Sequence, residues 1–350
     1  MKVKINGKDI TFLDTIQVTR SLDSIASIFS LATRFNPDND DHKELFKPLE
    51  YHKIEIFNSK GKVILTGTIL NHSFQSDKDI HLVGLSGYSI SGILEDVCMP
   101  TPYSKYPLES LNRSIKEIAE SLCSAYGVGL IVDSSVSGLA NQVLESSSAS
   151  PSDSVKGYIS KLTSQKNIVL SHDTKGNVVM FKPNDNAKVD YYFNSENSLA
   201  ITSSFNGQGM HSQISCVSQP GDEFEGVSLE DKVINPLIKK FRPTTKVLSS
   251  GEETDNSKAA NNELAAELKN IGVNVKVAAL FDDIQPGDIV NVHNHFTYSF
   301  AYTRYMVSSV KFTETIDQAT TELELVLPET YTGKVPKDIL FFYKTHKTHI

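Results

Sequence analysis

Residues 54–69 read Ile-Glu-Ile-Phe-Asn-Ser-Lys-Gly-Lys-Val-Ile-Leu-Thr-Gly-Thr-Ile, and this stretch decides the fold. Apolar Ile54 and Ile56 alternate with other residues, the two-residue period of a strand. Ser59-Lys60-Gly61 is turn chemistry. Val63 to Ile69 is the return strand, so the stretch reads as a hairpin. A polar turn, Gln75 to Asp79, leads to a further strand at Ile80 to Leu85. Far down the chain the same order returns: Ile289 to Val292, a tip, Tyr302 to Val310, a polar turn at Glu314 to Gln318, and Thr321 to Leu327. Each copy follows a short polar approach, Glu50-Tyr51-His52-Lys53 in the first and Gln285-Pro286-Gly287-Asp288 in the second. This internal echo points to two related barrels in one chain.

Outward from the first copy, residues 2–97 are mostly strand. Val3 and Ile5 alternate with lysines, Asn6-Gly7 is a strong hairpin signal, and Ile10 and Phe12 follow on the return strand. Ile16 and Val18 open another strand. At Leu22, Ile25, Ile28 and Phe29 the period changes, which predicts a short helical turn across a barrel mouth. Pro100 and Pro102 mark a change of character. Leu108, Leu111, Ile115, Ile118 and Leu122 then fall at helical spacing, with Ser104 ahead and Gly127 and Gly129 behind, so an amphipathic helix is predicted. Ser146 to Ser150 reads either as a flexible linker or, preferably, as the approach to a second helix capped by Ser152 or Asp153, with Val155, Ile159 and Leu162 on one face. Strands at Ile168 to Ser171 and Val178 to Phe181 flank the turn Asp173 to Asn177. Strand returns near Leu199 and at Gln213 to Val217, followed by a polar loop at Pro220-Gly221-Asp222. A third helix is expected at about 255–271, ended by Gly272, and strands follow at Val273 to Leu280 and Asp288 to Val292. The predicted organisation is mainly β within α+β. A first small β-barrel or sandwich spans 1–99 and an α+β module spans 100–186. A second barrel spans 187–330 with the helix inserted, and an extension follows at 331–350.

Composition limits the function. The 350 residues are 39% hydrophobic and 22% charged, with net charge −8, enough apolar material for several cores without disulfides. The three cysteines, Cys98, Cys123 and Cys216, share no metal-like spacing. Nothing resembles a signal peptide, and no run approaches the ~20 apolar residues of a membrane span. Lys239, Lys240, Arg242 and Lys246 form the richest basic stretch, which reads as a solvated loop rather than a phosphate site.

A search for chemistry yields no catalytic, cofactor-binding or metal residues. His293 and His295 stand two apart and read as surface histidines, since ligation wants a third ligand and supporting partners. His346 and His349 lie in the tail. The neighbours Glu95 and Asp96 read as a solvated or capping pair. No GxSxG, HExxH or P-loop occurs, and Gly207-Gln208-Gly209 lacks the rest of a dinucleotide fingerprint. Tyr191-Tyr192-Phe193 is a dense aromatic run and is expected in a core or interface.

In order, the segments resemble the phage Mu-like baseplate hub family (tail protein P, late control D-like). The resemblance is carried by Val18 to Leu31 and by the strand pair at 54–69. It continues in Val83-Gly84-Leu85-Ser86-Gly87-Tyr88 through Val97, and in Ser171 to Val179. Phe241-Arg242-Pro243 before an Ala/Glu helix, Gln285 to Val290 and Thr321 to Glu329 complete it. Members often have a basic residue where Tyr88 stands, and usually Asp at Glu95. The resemblance covers about residues 1–331. It implies a virion protein assembled in the bacterial host cytoplasm, with no enzymatic role and no membrane span. It implies a homotrimer whose six barrels adapt a sixfold tail tube to a threefold central spike. The implied partners are the tube initiator, the spike and the baseplate wedge proteins, with DNA passing through the bore without specific binding. The competing readings are a tail-tip peptidoglycan hydrolase and a host-adhesion protein.

Overall fold

The computed structural model describes residues 1–78, 81–99, 108–218, 230–248, 256–337 and 339. Pro100, Pro102, Ser104, the loop at 220–222, Ile80, His346 and His349 lie outside the described residues, as does most of the segment from 338 onward. The chain is mainly β with α+β character, as expected. It divides into two compact units. One comprises Met1–Lys182, Lys276–Pro286 and Ser308–Leu323, and the other Pro183–Val275, Gly287–Val307 and Glu324–Ile350.

The first unit runs through strands and helices in the following order. First come β1 (Lys2–Ile5), β2 (Lys8–Asp9), β3 (Thr15–Ser21), β4 (Ile28–Arg34) and α1 (Asp40–Leu45). Then come β5 (Lys53–Phe57), β6 (Val63–Ser76), β7 (His81–Ser89) and α2 (Ile93–Asp96). The remainder is β8 (Glu109–Ser114), α3 (Ile115–Ala125), β9 (Leu130–Val132), α4 (Ser137–Ala140), β10 (Val143–Ser148), α5 (Val155–Gln165), β11 (Val169–His172) and β12 (Val178–Phe181). The hairpin of residues 54–69 is present, with Ile56 opposite Leu65. The antiparallel ladder runs β3-β4-β7-β6-β5-β1-β2. Residues 309–315 add a strand beside β3. Inward residues alternate as the period requires: Val3 and Ile5, Ile16 and Val18, Phe29 and Leu31, Ile54 and Ile56 are all buried. Each such side chain contributes roughly 1.5–3 kcal/mol by leaving water. The amino group of Met1 pairs with Glu314, tying the start of β1 to the strand at the opposite end of the ladder.

Asn6 and Gly7 both take positive φ, 47° and 81°, the conformation a two-residue hairpin turn demands. The return strand is short, ending at Asp9, so Ile10 and Phe12 lie beyond it. The helical turn expected over 22–29 is absent. Ser24 bonds locally to the backbone of Ala26, an alternative to helical bonding, and β4 starts at Ile28. Leu22 and Ile25 are still buried, but Ile25 belongs to the core of the module that follows.

That module packs Ile115, Ile118, Leu122, Val155, Tyr158, Ile159, Val178 and Met180 together with Ile25 and Leu94. Its sheets are β8-β10 and β11-β12-β9. The helix expected from Leu108 begins only at Ile115. Ser114 is its N-cap, in a reciprocal capping box with Glu117. The preceding residues pair as a strand with β10, and Leu111 points to solvent at 67% exposure, so its helical spacing was coincidental. Ser146 to Ser148 of the Ser-rich run are strand, in β10, and Ser154 caps α5 rather than Ser152 or Asp153. Ser114→Ala is expected to cost about 1 kcal/mol, read as a lower urea midpoint at unchanged slope.

The second unit contains β13 (Val189–Phe193), β14 (Ala200–Phe205), β15 (Gln213–Ser218), β16 (Glu230–Ile234), β17 (Pro243–Leu248) and α6 (Asn256–Glu267). Strands β18 (Ile271–Val277), β19 (Ile289–Asn294), β20 (Ser299–Thr315) and β21 (Ala319–Val326) and helix α7 (Glu329–Thr332) follow among the described residues. Strand β19 lies between β13 and β20. The third helix ends at Glu267, and Gly272 lies inside β18 instead of capping it. α6 covers a separate sheet, β16-β15-β17, through Ile214, Cys216, Val233, Leu248, Ala259, Ala260 and Leu264. Tyr331 and Thr332, expected outside the core, are buried.

Candidate interaction sites

The residues weighed for chemistry do not converge. Glu95 pairs with Lys156 at 3.4 Å, whereas Asp96 accepts from the Tyr88 hydroxyl at 2.7 Å. The two carboxylates therefore serve different partners. Burial, and then the Asp96 carboxylate, push the Tyr88 hydroxyl above its ordinary value. Burial pushes the Cys123 thiol up to about 12, which keeps it a protonated core residue. In the basic stretch, Lys246 pairs with Glu263 and the Arg242 side chain bonds the carbonyl of Gln208. Among the described residues, no group of three or more His, Cys, Asp or Glu gathers as a metal site. No helix among them is long and apolar enough to cross a membrane.

Two constellations do form. The first is buried within the first unit. His172, at the end of β11, is 9% exposed. Its Nδ1 lies 2.6 Å from the Ser24 carbonyl and its Nε2 lies 2.6 Å from Ser27 Oγ. A carbonyl only accepts, so Nδ1 carries the proton and Nε2 accepts from the Ser27 hydroxyl. Burial, followed by the Arg20 guanidinium, outweighs the Ser24 bond and Asp173 and pushes the imidazole down to about 4. Ser27 N–H donates to Ser89 Oγ, and Ser91 Oγ donates to the Ile25 carbonyl. Nearby, Gly176 takes φ +86°, and a Cβ there would stand 2.8 Å from Ile90 Cβ, so the β11–β12 turn seats directly on Ile90. These contacts join the module at 108–182 to the β3–β4 connection and the end of β7. Ser171-His172 was legible only as a family phrase, because hydrogen bonds across a hundred and more residues leave no periodic signal.

The second constellation is exposed, in the second unit. His293 and His295 come together, ring centroids 4.6 Å apart, as the two-residue spacing suggested. Their company is aromatic rather than acidic. Tyr302 lies 5.1 Å from His293, Tyr192 lies 5.8 Å from Tyr302, and Tyr298 lies 4.9 Å from Phe300. Phe296 at the tip is 96% exposed. Of the dense run, Phe193 is core while Tyr192 is surface. Sequence reading undervalued this cluster because its members come from separate strands.

The fold is that of phage tail proteins. It matches the 43 kDa tail protein of prophage MuSo2 from Shewanella oneidensis with a TM-score of 0.78 at 18% identity, covering 94% of this chain and 98% of that one. It matches the tail protein from Neisseria meningitidis MC58 with a TM-score of 0.76 at 17% identity, covering 95% and 98%. It also matches the E. coli c3393 protein, a type VI secretion system component similar in structure to T4 tail proteins gp27 and gp5. There the TM-score is 0.56 at 10% identity, covering 97% and 80%. Residues 102–182 match the family model described as baseplate hub protein gp44-like, second domain. The likeness to the Mu-like hub family is thereby borne out. No curated protein sequence matches the chain.

Proposed function

We propose that the chain is a structural, non-catalytic baseplate hub of a contractile phage tail or tail-derived injection machine. Three copies would form a ring of six barrels that adapts a sixfold tube to a threefold spike. The partners would be the tube initiator, the spike and the wedge proteins, with DNA passing through the bore without specific binding. The layout would be barrels at 1–99 and 187–330 around the module at 100–186, in a protein assembled in the host cytoplasm and carried in the virion.

One observation supports this reading most. The order short strand, long strand, strand occurs twice in one chain: β5, β6 and β7 with 5, 14 and 9 residues, and β19, β20 and β21 with 6, 17 and 8. β6 joins β5 to β7, and β20 joins β19 to β21. A duplicated unit is what a trimer needs to present sixfold symmetry. Light scattering with negative-stain imaging tests it. The expected result is a ring-shaped trimer, alone or with a spike protein. A monomer under both conditions rejects the reading, and clearing of cell-wall material in a zymogram would reject the non-catalytic part.

A further inference from the structure

The connection between β4 and β5 carries α1 and is held down by three histidines from separate elements. A chain of ring contacts runs beneath it. His42 lies 5.4 Å from Phe46, Phe46 lies 6.3 Å from Phe35, Phe35 lies 5.0 Å from Phe74 of β6, and Phe74 stacks on His72 at 6.5 Å. His52 ties the far end. Asn6 Oδ1 accepts from the Lys53 N–H at 3.0 Å, so the amide nitrogen of Asn6 faces the imidazole and donates to His52 Nδ1 at 2.7 Å. His52 Nε2 then carries the proton and donates to the Glu44 carbonyl of α1 at 3.0 Å. His42 Nδ1 also accepts, from the Asn36 N–H at 3.2 Å. His72 Nε2 is buried with no hydrogen-bond partner among the described residues. Leu49 and Tyr51, exposed and not glycine, take φ of 65° and 54°, so the docked path is strained and opening relieves it.

We propose that residues 35–52 form an acid-released latch, docked on β6 and on the Asn6 turn while His42, His52 and His72 are neutral. A proton on Nδ1 of His42 or His52 sets two donors against each other, and turning over the Asn6 amide would only move that conflict to Lys53. A proton on His72 Nε2 places charge on a buried atom. Burial, and then His52, already hold the His72 imidazole below its ordinary value. The undocked form therefore binds the proton more tightly. Docking is fully favoured above the ordinary imidazole range, near about pH 6.5, and is lost as pH falls through it. The charged groups around the latch are Asp41 with Lys8 at 2.7 Å, Asp40 with Lys43 at 2.5 Å, Glu50 with Lys47 at 2.6 Å and Lys53 with Glu55 at 2.9 Å. The Glu44 carboxylate acts on Lys47 as well. Lys8 and Lys47 hold Asp41 and Glu50 below the usual carboxylate range, so both stay ionised while imidazoles titrate. The inference is independent of the hub reading.

Amide exchange on the full chain tests it at about pH 7.5 and about pH 5.5, either side of the ordinary imidazole value, after correction for intrinsic rates. Protection over 36–46 is expected to fall by about tenfold at the lower pH, beyond any change over Ile115–Ala125. Two single variants assign the cause. His52→Gln can accept from Asn6 and donate to Glu44 without titrating, and His72→Phe keeps a ring on Phe74 without a buried nitrogen. Each is expected to retain part of the protection that the parent loses. Equal protection of the parent at both pH values overturns the proposal. So does a full loss in both variants, which would assign the acid response to Asp41 and Glu50. If one variant is already open at the higher pH, the other decides.

Discussion

Replacing His172 with alanine is expected to destabilise the first unit by about 3 kcal/mol and to loosen residues 108–182 from the strands that hold them. The ring is buried and bonded at both nitrogens. Its removal strands the Ser24 carbonyl and the Ser27 hydroxyl without that partner and opens a cavity beside Arg20 and Leu22. Ser27 also receives its main-chain order from Ser89, so the disturbance falls on the junction itself rather than on one loop. Urea denaturation reads the loss. Amide exchange locates it, with increases expected at 21–27 and 169–172. An alanine variant with the parent's midpoint would show that the two bonds carry no net stability.

The same residue makes stability depend on pH. The imidazole sits at about 4 in the folded chain, against 6.5 when unfolded. Between those values the unfolded chain binds more protons, so stability rises with pH. The full contribution is present above about pH 6.5 and is lost as pH falls through 4, a span worth about 3 kcal/mol. Protonation would turn Nε2 into a donor facing a hydroxyl that now donates, in a buried place next to Arg20. His172→Gln keeps a polar side chain and removes the titration. Its stability should therefore fall less steeply than the parent's from pH 6.5 to 4. Parallel curves would mean that carboxylates, not His172, set the acid limit.

What was legible in the sequence followed its periods. The two-residue alternation of Ile54 and Ile56 and of Val3 and Ile5 gave the strands, and Asn6-Gly7 gave its turn, because burial on one face writes itself into neighbouring residues. The spacing of Leu108 and Leu111 misled, because a helical period can arise by chance and only the Ser114–Glu117 box determines where the helix begins. Ile25 was legible as buried, but not as part of the module's core, since the partner surface comes from distant residues. The aromatic face and the His172 junction share this property. Each is assembled from separate strands, so no local pattern announces it.

Gly87→Ala is expected to cost about 3 kcal/mol or more, whereas Gly84→Ala, three residues away in the same strand, is expected to stay within about 1 kcal/mol of the parent. Thr68 and Tyr88 face each other across β6 and β7. A Cβ on Gly87 would stand 2.0 Å from the Thr68 carbonyl oxygen, and one on Gly67 would stand 2.2 Å from that of Tyr88. Each glycine therefore leaves room for the opposite strand's backbone, which cannot yield as a flexible side chain would. The register shifts just beyond, between Ile69 and Asn71. An irregularity beside glycines is how a long pair bends and twists enough to curl a sheet. At Gly84 the nearest atoms, on Ser73, are at 3.7 Å, ordinary contact. The same Cβ would stand 3.1 Å from the Phe29 ring, so an added methyl would press on the core from the neighbouring strand as well. Comparing the two variants' urea midpoints cancels the effect of glycine on the unfolded chain, which both share. Equal midpoints would mean that the strands can part at Gly87 without loss, and that the curl of this sheet does not depend on the close approach.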